Sequence, residues 1–220
     1  MFVIAMASGA ASTILPPMPT ETPSYSVQPY QFREAAPNSF IFEIPEALPA
    51  WICAEMIQRF EARAEQQYPG RVGQTANHAS TVKKTTDLAL SAHADWQDMD
   101  GVLHRSLGLA LREFRARYPY FKGPFKDIGY NLQRYRPGEY YHWHIDGGSH
   151  DFAARQLVAL WYLNTVPGPG GATEFKFQNV QIRPEVGKLL LFPPFWTHEH
   201  RAAAMQDGVK YIATTWVVFA

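Results

Sequence analysis

Apolar residues recur in the first half of the chain at the three- and four-residue spacing of an amphipathic helix. Over residues 48–67, Ile52, Met56 and Phe60 fall on one face. A longer stripe over residues 98–117 consists of Val102, Leu103, Leu107, Ala110, Leu111 and Phe114. A helix buries such a face against the rest of its domain. The pattern therefore predicts two helices that pack against a core.

After Pro124 the pattern changes to short runs rich in aromatic and β-branched residues, which are separated by glycine and proline turns. The predicted strands cover residues 130–135, 140–144, 156–163, 172–177, 180–182, 188–192 and 209–219. Short strands at such regular spacing are typical of antiparallel sandwiches and barrels. Helices followed by strands predict an α+β fold, with a jelly-roll core and flanking N-terminal helices.

The other segments are apolar, proline-rich or polar. Residues 1–20 carry no charge and so lack the basic start of a secretion signal; a leader and a misassigned start at Met6 both stay open. Residues 16–49 hold eight of the 17 prolines, and we expect them to lie extended over the domain surface. Residues 71–88 are expected to form either a plain surface loop or a lid. We expect an extended or disordered leader over residues 1–30 and a single domain over residues 31–220.

Composition narrows the function classes. Apolar residues at 46% and aromatic residues at 14% exclude a disordered chain. The 20 basic side chains balance the 20 acidic ones, so the chain has no basic field for nucleic acid. No apolar run reaches the roughly 20 residues of a membrane helix, and the single cysteine, Cys53, excludes an internal disulfide. We expect a cytoplasmic domain without nucleic-acid or membrane partners, whose eight histidines are its main soft metal ligands.

The densest chemical cluster is the run Tyr-Tyr-His-Trp-His-Ile-Asp over residues 140–146. Alternate residues of a strand face the same side, so His142, His144 and Asp146 are candidates to project together. Imidazoles and a carboxylate on one face suit divalent iron, zinc or manganese. Hydrogen-bonded or surface histidines are the alternative interpretation.

A second histidine pair, His198 and His200, follows more than fifty residues later. Strands distant in sequence become neighbours in a jelly roll, so this pair is a source of a third ligand. Spacing alone does not choose among the four histidines. Lys210, ten residues after His200, begins an apolar strand. It either extends its ammonium into water or points inward, where it requires an anionic partner.

Several spaced segments together resemble a known family. They are residues 135–146, 155–164, 170–175 and 184–192, followed by His200 with Lys210 ten residues later. In this order, over residues 130–216, the chain resembles the iron(II)/2-oxoglutarate-dependent dioxygenases, in particular the prolyl 4-hydroxylase-like branch. The fold that this resemblance implies is the double-stranded β-helix, a form of jelly roll.

The resemblance also implies roles for individual residues. Iron(II) would be bound by His144, Asp146 and His200. Lys210 would pair with the distal carboxylate of 2-oxoglutarate; the other residues implied at the cosubstrate are Tyr135, Thr173 and Trp216. The implied reaction hydroxylates an unactivated C–H bond, consumes dioxygen and releases succinate and carbon dioxide, with ascorbate as a reductant.

The substrate is less defined by the resemblance, since the branch includes enzymes for peptidyl proline, free amino acids and secondary metabolites. Candidate substrate residues are Gln133, His142, Gln156, Trp161, Lys83 and Lys84. The two lysines lie in a polar loop, and the alternative to a substrate contact is that both are simply solvated. Oligomeric state stays open.

Two functions from other classes remain as alternatives. A cupin-like metal enzyme without a keto acid would keep the three metal ligands but would not need Lys210, Tyr135 and Trp216 at these spacings. A non-catalytic jelly-roll binding module usually lacks a ligand, whereas all three are present here. Metal content and succinate release separate the three hypotheses.

Overall fold

The structure, a computed structural model, describes residues 31–73 and 81–220, so the predicted leader lies outside the described residues. The two α-helices within them are α1 (Ala50–Ala62) and α2 (Gln97–Arg117). The strands are β1 (Arg33–Glu34), β2 (Phe42–Ile44), β3 (Tyr68–Pro69), β4 (Lys83–Lys84), β5 (Thr86–Ala89), β6 (Phe125–Asp127), β7 (Asn131–Tyr135), β8 (Tyr140–His144), β9 (Arg155–Tyr162), β10 (Thr173–Phe175), β11 (Val180–Ile182), β12 (Leu189–Phe192), β13 (His200–Ala202) and β14 (Lys210–Phe219).

These strands form two antiparallel sheets. The larger sheet has the order β1-β2-β12-β9-β14-β7-β5-β3, with β6 paired to β14, and the smaller has the order β11-β10-β13-β8-β4. Strand β9 shows how the layers stack, because its side chains alternate between two cores. Leu157, Ala159 and Trp161 pack against the helices, whereas Val158 and Leu160 face the smaller sheet. The larger sheet is therefore the middle layer.

Both predicted helices are present, with shifted ends. Helix α1 buries Ile52, Met56 and Phe60, as the pattern predicted, but it ends at Ala62 because residues 64–66 turn into a 3-10 helix. Helix α2 begins one residue earlier than predicted and buries its apolar stripe against the same core. Neither helix of the described residues has the length and apolar character of a membrane span.

Short strands account for most of the differences from prediction. The expectation that residues 16–49 lie over the surface is wrong for β2, since Phe42 and Ile44 are fully buried and the strand pairs with β12. The expected loop over residues 71–88 contains β4 and β5, which join the smaller sheet to the larger one. Strands of two to four residues are too short to show a period of two. That residues 31–220 form one domain stays a prediction, supported by the core that joins both helices to the larger sheet.

Candidate metal and cosubstrate site

Strands β8 and β13 are neighbours in the smaller sheet and bring together two imidazoles and a carboxylate. His144 pairs directly with His200 in the antiparallel register, and Asp146 follows β8 by two residues. One ligand atom from each of His144, Asp146 and His200 lies within 4.8 Å of the others. In the described residues this is the one such group of three or more histidine, cysteine or acidic side chains.

A β-bulge in β8 decides which residues face this cluster. His200 pairs with His144 and Ala202 pairs with Tyr141, so two steps along β13 match three steps along β8. The extra residue lets Tyr141 stack on the His144 ring, with centroids 3.5 Å apart and planes 12° apart. His142 is exposed and does not line the cavity. The predicted shared face of His142 and His144 is therefore wrong, because the bulge interrupts the alternation.

Main-chain carbonyls orient both imidazole ligands. His144 Nδ1 is 2.7 Å from the His142 carbonyl, and His200 Nδ1 is 2.9 Å from the His198 carbonyl. A carbonyl only accepts hydrogen bonds, so each Nδ1 carries the proton and each Nε2 keeps a free lone pair. The His198 ring is itself buried, with Nε2 2.9 Å from the Ser39 carbonyl. His198 therefore supports a ligand from behind rather than joining the cluster.

The protonation states suit a divalent metal. Burial, together with the charge of His200, lowers the pKa of His144 to about 3. Burial alone would raise the pKa of the Asp146 carboxyl, but the neighbouring His200, His144 and Arg155 outweigh burial and hold the pKa at about 2. A neutral imidazole, as at His144, and an ionised carboxylate, as at Asp146, are the forms that bind metal. Two imidazoles and one carboxylate with open positions are the donor set of non-haem iron(II), so the residues fit that ion.

The cluster opens into a cavity of about 660 Å³ between the two sheets. Lys210 lies in its wall and is only 1% exposed. Its ammonium donates to the Gly171 carbonyl at 2.9 Å and lies 4.1 Å from the centre of the Tyr135 ring. Burial lowers its pKa to about 7. Among the described residues it has no carboxylate partner, so a carboxylate ligand fits this position.

The other predicted cosubstrate residues line the same cavity. Tyr135 pairs with Lys210 across β7 and β14, and its hydroxyl donates to Gln133 at 2.9 Å. Thr173 Oγ1 accepts a hydrogen bond of 2.6 Å from the Tyr162 hydroxyl. Trp216 also lines the cavity, and no other described residue forms a hydrogen bond with its buried Nε1.

The predicted substrate residues divide into two groups. Gln133 and Lys83 line the cavity, whereas Lys84, His142, Gln156 and Trp161 do not. Trp161 is fully buried in the core on the helix side of β9, where Nε1 donates to Ser106 Oγ at 3.0 Å. Gln156 donates to main-chain carbonyls beside it. Alternation along β9 explains the position of Trp161, which shares the helix-facing side of the strand with Leu157 and Ala159.

Two cavity residues were missed by sequence reasoning. The Arg155 guanidinium lies between the rings of Phe152 and Trp216, at 4.0 and 3.8 Å from their centres, and donates to the Asp146 carbonyl at 2.7 Å. It begins the segment 155–164 that contributes to the family resemblance, as the single cation before the apolar run of β9, but no role was assigned to it. Asp87, only 2% exposed, forms an ion pair with Lys83 in the cavity wall. No motif in the sequence marked that carboxylate.

Comparison with known proteins gives a family match for part of the chain. Residues 130–218 match the family model described as the 2OG-Fe(II) oxygenase superfamily. No curated protein matches the chain.

Several solved structures share the fold and cover 82% of this chain. The viral collagen prolyl hydroxylase of Paramecium Bursaria Chlorella virus-1, solved with 2-oxoglutarate, has a TM-score of 0.60 and 18% identity, with 97% of its chain covered. A Trichoplax adhaerens prolyl hydroxylase was solved in complex with a peptide fragment of the hypoxia inducible factor oxygen degradation domain. It has a TM-score of 0.71 and 17% identity, with 84% of its chain covered. A Pseudomonas putida prolyl-4-hydroxylase has a TM-score of 0.63 and 20% identity, with 93% of its chain covered. The predicted double-stranded β-helix is confirmed.

Proposed function

Residues 130–218 belong to the 2OG-Fe(II) oxygenase superfamily, and from this premise we propose that the protein hydroxylates an unactivated C–H bond of an amino-acid or peptide substrate. It is a 2-oxoglutarate-dependent oxygenase whose cofactors are iron(II) and 2-oxoglutarate. Bound together, they supply an oxidant for C–H bonds, with dioxygen consumed and succinate and carbon dioxide released.

The iron ligands in this proposal are His144, Asp146 and His200. The observation that carries the proposal is their convergence within 4.8 Å. Both Nδ1 atoms are occupied by main-chain carbonyls, so the two Nε2 atoms remain for the metal. The chain thus holds three ligands on one side of the ion and leaves the cavity side open.

Lys210 binds the distal carboxylate of 2-oxoglutarate in this proposal. Within residues 31–73 and 81–220 its buried ammonium has only the Gly171 carbonyl as a hydrogen-bond partner, and an ammonium buried without an anion carries a large desolvation cost. A dicarboxylate removes that cost by placing its second carboxylate in the wall. The hydroxyls of Tyr135 and Thr173 lie in the same cavity to accept or donate further hydrogen bonds, and the Trp216 ring excludes water on another side.

The substrate binds at the cavity mouth beside Arg155. The Phe152 and Trp216 rings both pack against its guanidinium, whose carbon is 4.0 and 3.8 Å from the ring centres. A guanidinium held in this way suits a carbonyl or carboxylate oxygen of the substrate. The Trichoplax relative binds a peptide, which favours a peptide substrate. The carboxamide of Gln133 is already hydrogen-bonded to Tyr135 and Thr214. In this proposal Gln133 therefore holds part of the cavity wall in place and does not contact the substrate.

Anaerobic titration with iron(II) and then 2-oxoglutarate tests the proposal. We expect the visible charge-transfer band of a chelated keto acid, and we expect it to be lost in His144→Ala and His200→Ala. Iron binding without the band would favour the cupin-like alternative, and no metal binding would favour a binding module. Succinate release with proline-containing peptides, compared with free amino acids, then identifies the substrate class.

A further inference from the structure

A buried ion pair lies in the cavity wall and has no role in the chemistry described so far. Lys83 and Asp87 are 3% and 2% exposed, and Nζ is 2.6 Å from Oδ2. Thr85 Oγ1 donates to the other carboxylate oxygen at 2.6 Å, and Asn131 Nδ2 is 3.4 Å from Oδ2. The carboxylate therefore accepts several hydrogen bonds, whereas the ammonium has one acceptor in the part of the chain that the structure describes.

The pair is one side chain away from a metal ligand. Lys83 in β4 pairs with Tyr141 in β8, and its ammonium lies 5.3 Å from the centre of the Tyr141 ring. The same ring stacks on His144 at 3.5 Å. Asp87 lies on β5, opposite Gln133. The ion pair thus spans the corner where the chain passes from the smaller to the larger sheet, next to both halves of the site.

Stability alone does not account for such a pair. Two ions taken out of water lose about as much hydration energy as their attraction returns, so apolar replacements of buried pairs are often neutral or stabilising. Each charge of the pair has a stronger electrostatic effect on a neighbouring ion than a surface charge would have, because a buried charge is less screened by water.

We propose that Lys83 and Asp87 are positioning residues that keep the wall beside the metal centre electrically neutral. Asp87 cancels an ammonium that would otherwise repel the metal ion. Lys83 cancels a carboxylate that would otherwise attract the ion as a stray ligand and repel the cosubstrate dianion. The inference rests on the proposed metal site, and it predicts that removal of either charge shifts metal affinity in opposite directions.

Near-isosteric neutral variants test the inference with Co²⁺ as the probe. In anaerobic Co²⁺ titrations of the full chain, we expect Asp87→Asn to weaken binding about tenfold and Lys83→Gln to tighten it about tenfold. Lys83→Gln should also weaken subsequent binding of 2-oxoglutarate. The double variant should return to within about threefold of wild type, because both charges are gone.

A second buried ion pair provides the matched control. Lys188 is bound to Glu43 on β2 at 2.8 Å, is equally buried, and lies outside the cavity. Lys188→Gln should lower the melting temperature and leave the Co²⁺ affinity unchanged. If Asp87→Asn does not fold, Lys83→Gln and the double variant still measure the sign of the effect.

The outcomes separate this inference from the proposed function. Opposite shifts that cancel in the double variant support it. Shifts in the same direction indicate a structural role only, and unchanged affinities in folded variants overturn it while the metal site stands. A wild-type protein that binds neither Co²⁺ nor iron(II) overturns the proposed function and this inference with it.

Discussion

His144 and His200 lie directly opposite one another in β8 and β13, with ring centroids 4.2 Å apart and each Nδ1 bonded to the carbonyl two residues earlier in the chain. The two imidazoles are therefore oriented by the sheet backbone itself. Because this orientation exists before any ion binds, little side-chain entropy is lost on metal binding.

Removal of either imidazole should abolish tight metal binding. We expect His144→Ala and His200→Ala to lower the Co²⁺ affinity by more than about a hundredfold, since only two of three ligands remain. His142→Ala is the control on the same strand, because its exposed ring lies outside the cavity and only its carbonyl is used. Equal loss in His142→Ala, measured by Co²⁺ absorption, would contradict the ligand assignment.

Replacement of the buried lysine should affect the cosubstrate and spare the metal. We expect Lys210→Met to weaken 2-oxoglutarate binding about 10- to 100-fold, the range for a lost charged hydrogen bond. Co²⁺ affinity should stay at the wild-type value. Lys84→Met, an exposed residue on β4, should change neither constant. Unaltered 2-oxoglutarate affinity in Lys210→Met would refute its role.

Affinity for 2-oxoglutarate should fall as the pH rises. Burial lowers the pKa of Lys210 to about 7, so the cosubstrate-free protein loses this charge as the pH rises through neutrality. Only the protonated form attracts a carboxylate, and the dissociation constant should therefore increase towards tenfold per pH unit above the pKa. Below about pH 6 it should level off, because the group is then fully charged.

An arginine variant provides the control for this pH dependence. Lys210→Arg keeps its charge across the whole range, so its affinity profile should be flat wherever 2-oxoglutarate still binds. Isothermal titration of metal-loaded protein measures both profiles. A wild-type dissociation constant that does not change between about pH 6 and 9 would show that the Lys210 proton does not control binding.

Trp161 should matter for stability and not for the site. Its ring is fully buried on the helix side of β9 and bonded to Ser106. We expect Trp161→Phe to lower the free energy of unfolding by about 1–3 kcal/mol, through lost volume and a lost hydrogen bond. Urea unfolding measures this loss. The 2-oxoglutarate affinity of the folded variant should equal that of wild type; a changed affinity would mean that the residue acts on the cavity.

Strand positions were predictable where the pattern was local. The bounds predicted for residues 140–144 and 180–182 are those of β8 and β11. Spacing alone left four histidines open as ligands, and the resemblance to a family selected His144 and His200. The bulge that turns His142 away has no local signature, because it depends on how β8 pairs with β13.

Contacts between segments distant in sequence were not predictable. Lys83 was predicted as a substrate residue, with solvation as the alternative, because nothing in the sequence showed that the corner between β4 and β5 would be buried against Asp87. Arg155 stood one residue before the predicted strand, and its stacking on Trp216 requires the pairing of β9 with β14. Such relationships arise from tertiary packing rather than from periodicity.

The register of β8 against β13 determines which side chains can share a metal ion. All five residues of Tyr140–His144 carry an aromatic or imidazole ring, so the pattern does not mark which face belongs inside, and such strands are prone to slip. A slip of two residues would set His142 opposite His200 and put His144 where Asp146 lies. That arrangement offers three imidazoles, the donor set of catalytic zinc. In the native register His144 and Asp146 meet His200 instead, so the pairing of two short strands decides that the donor set holds a carboxylate.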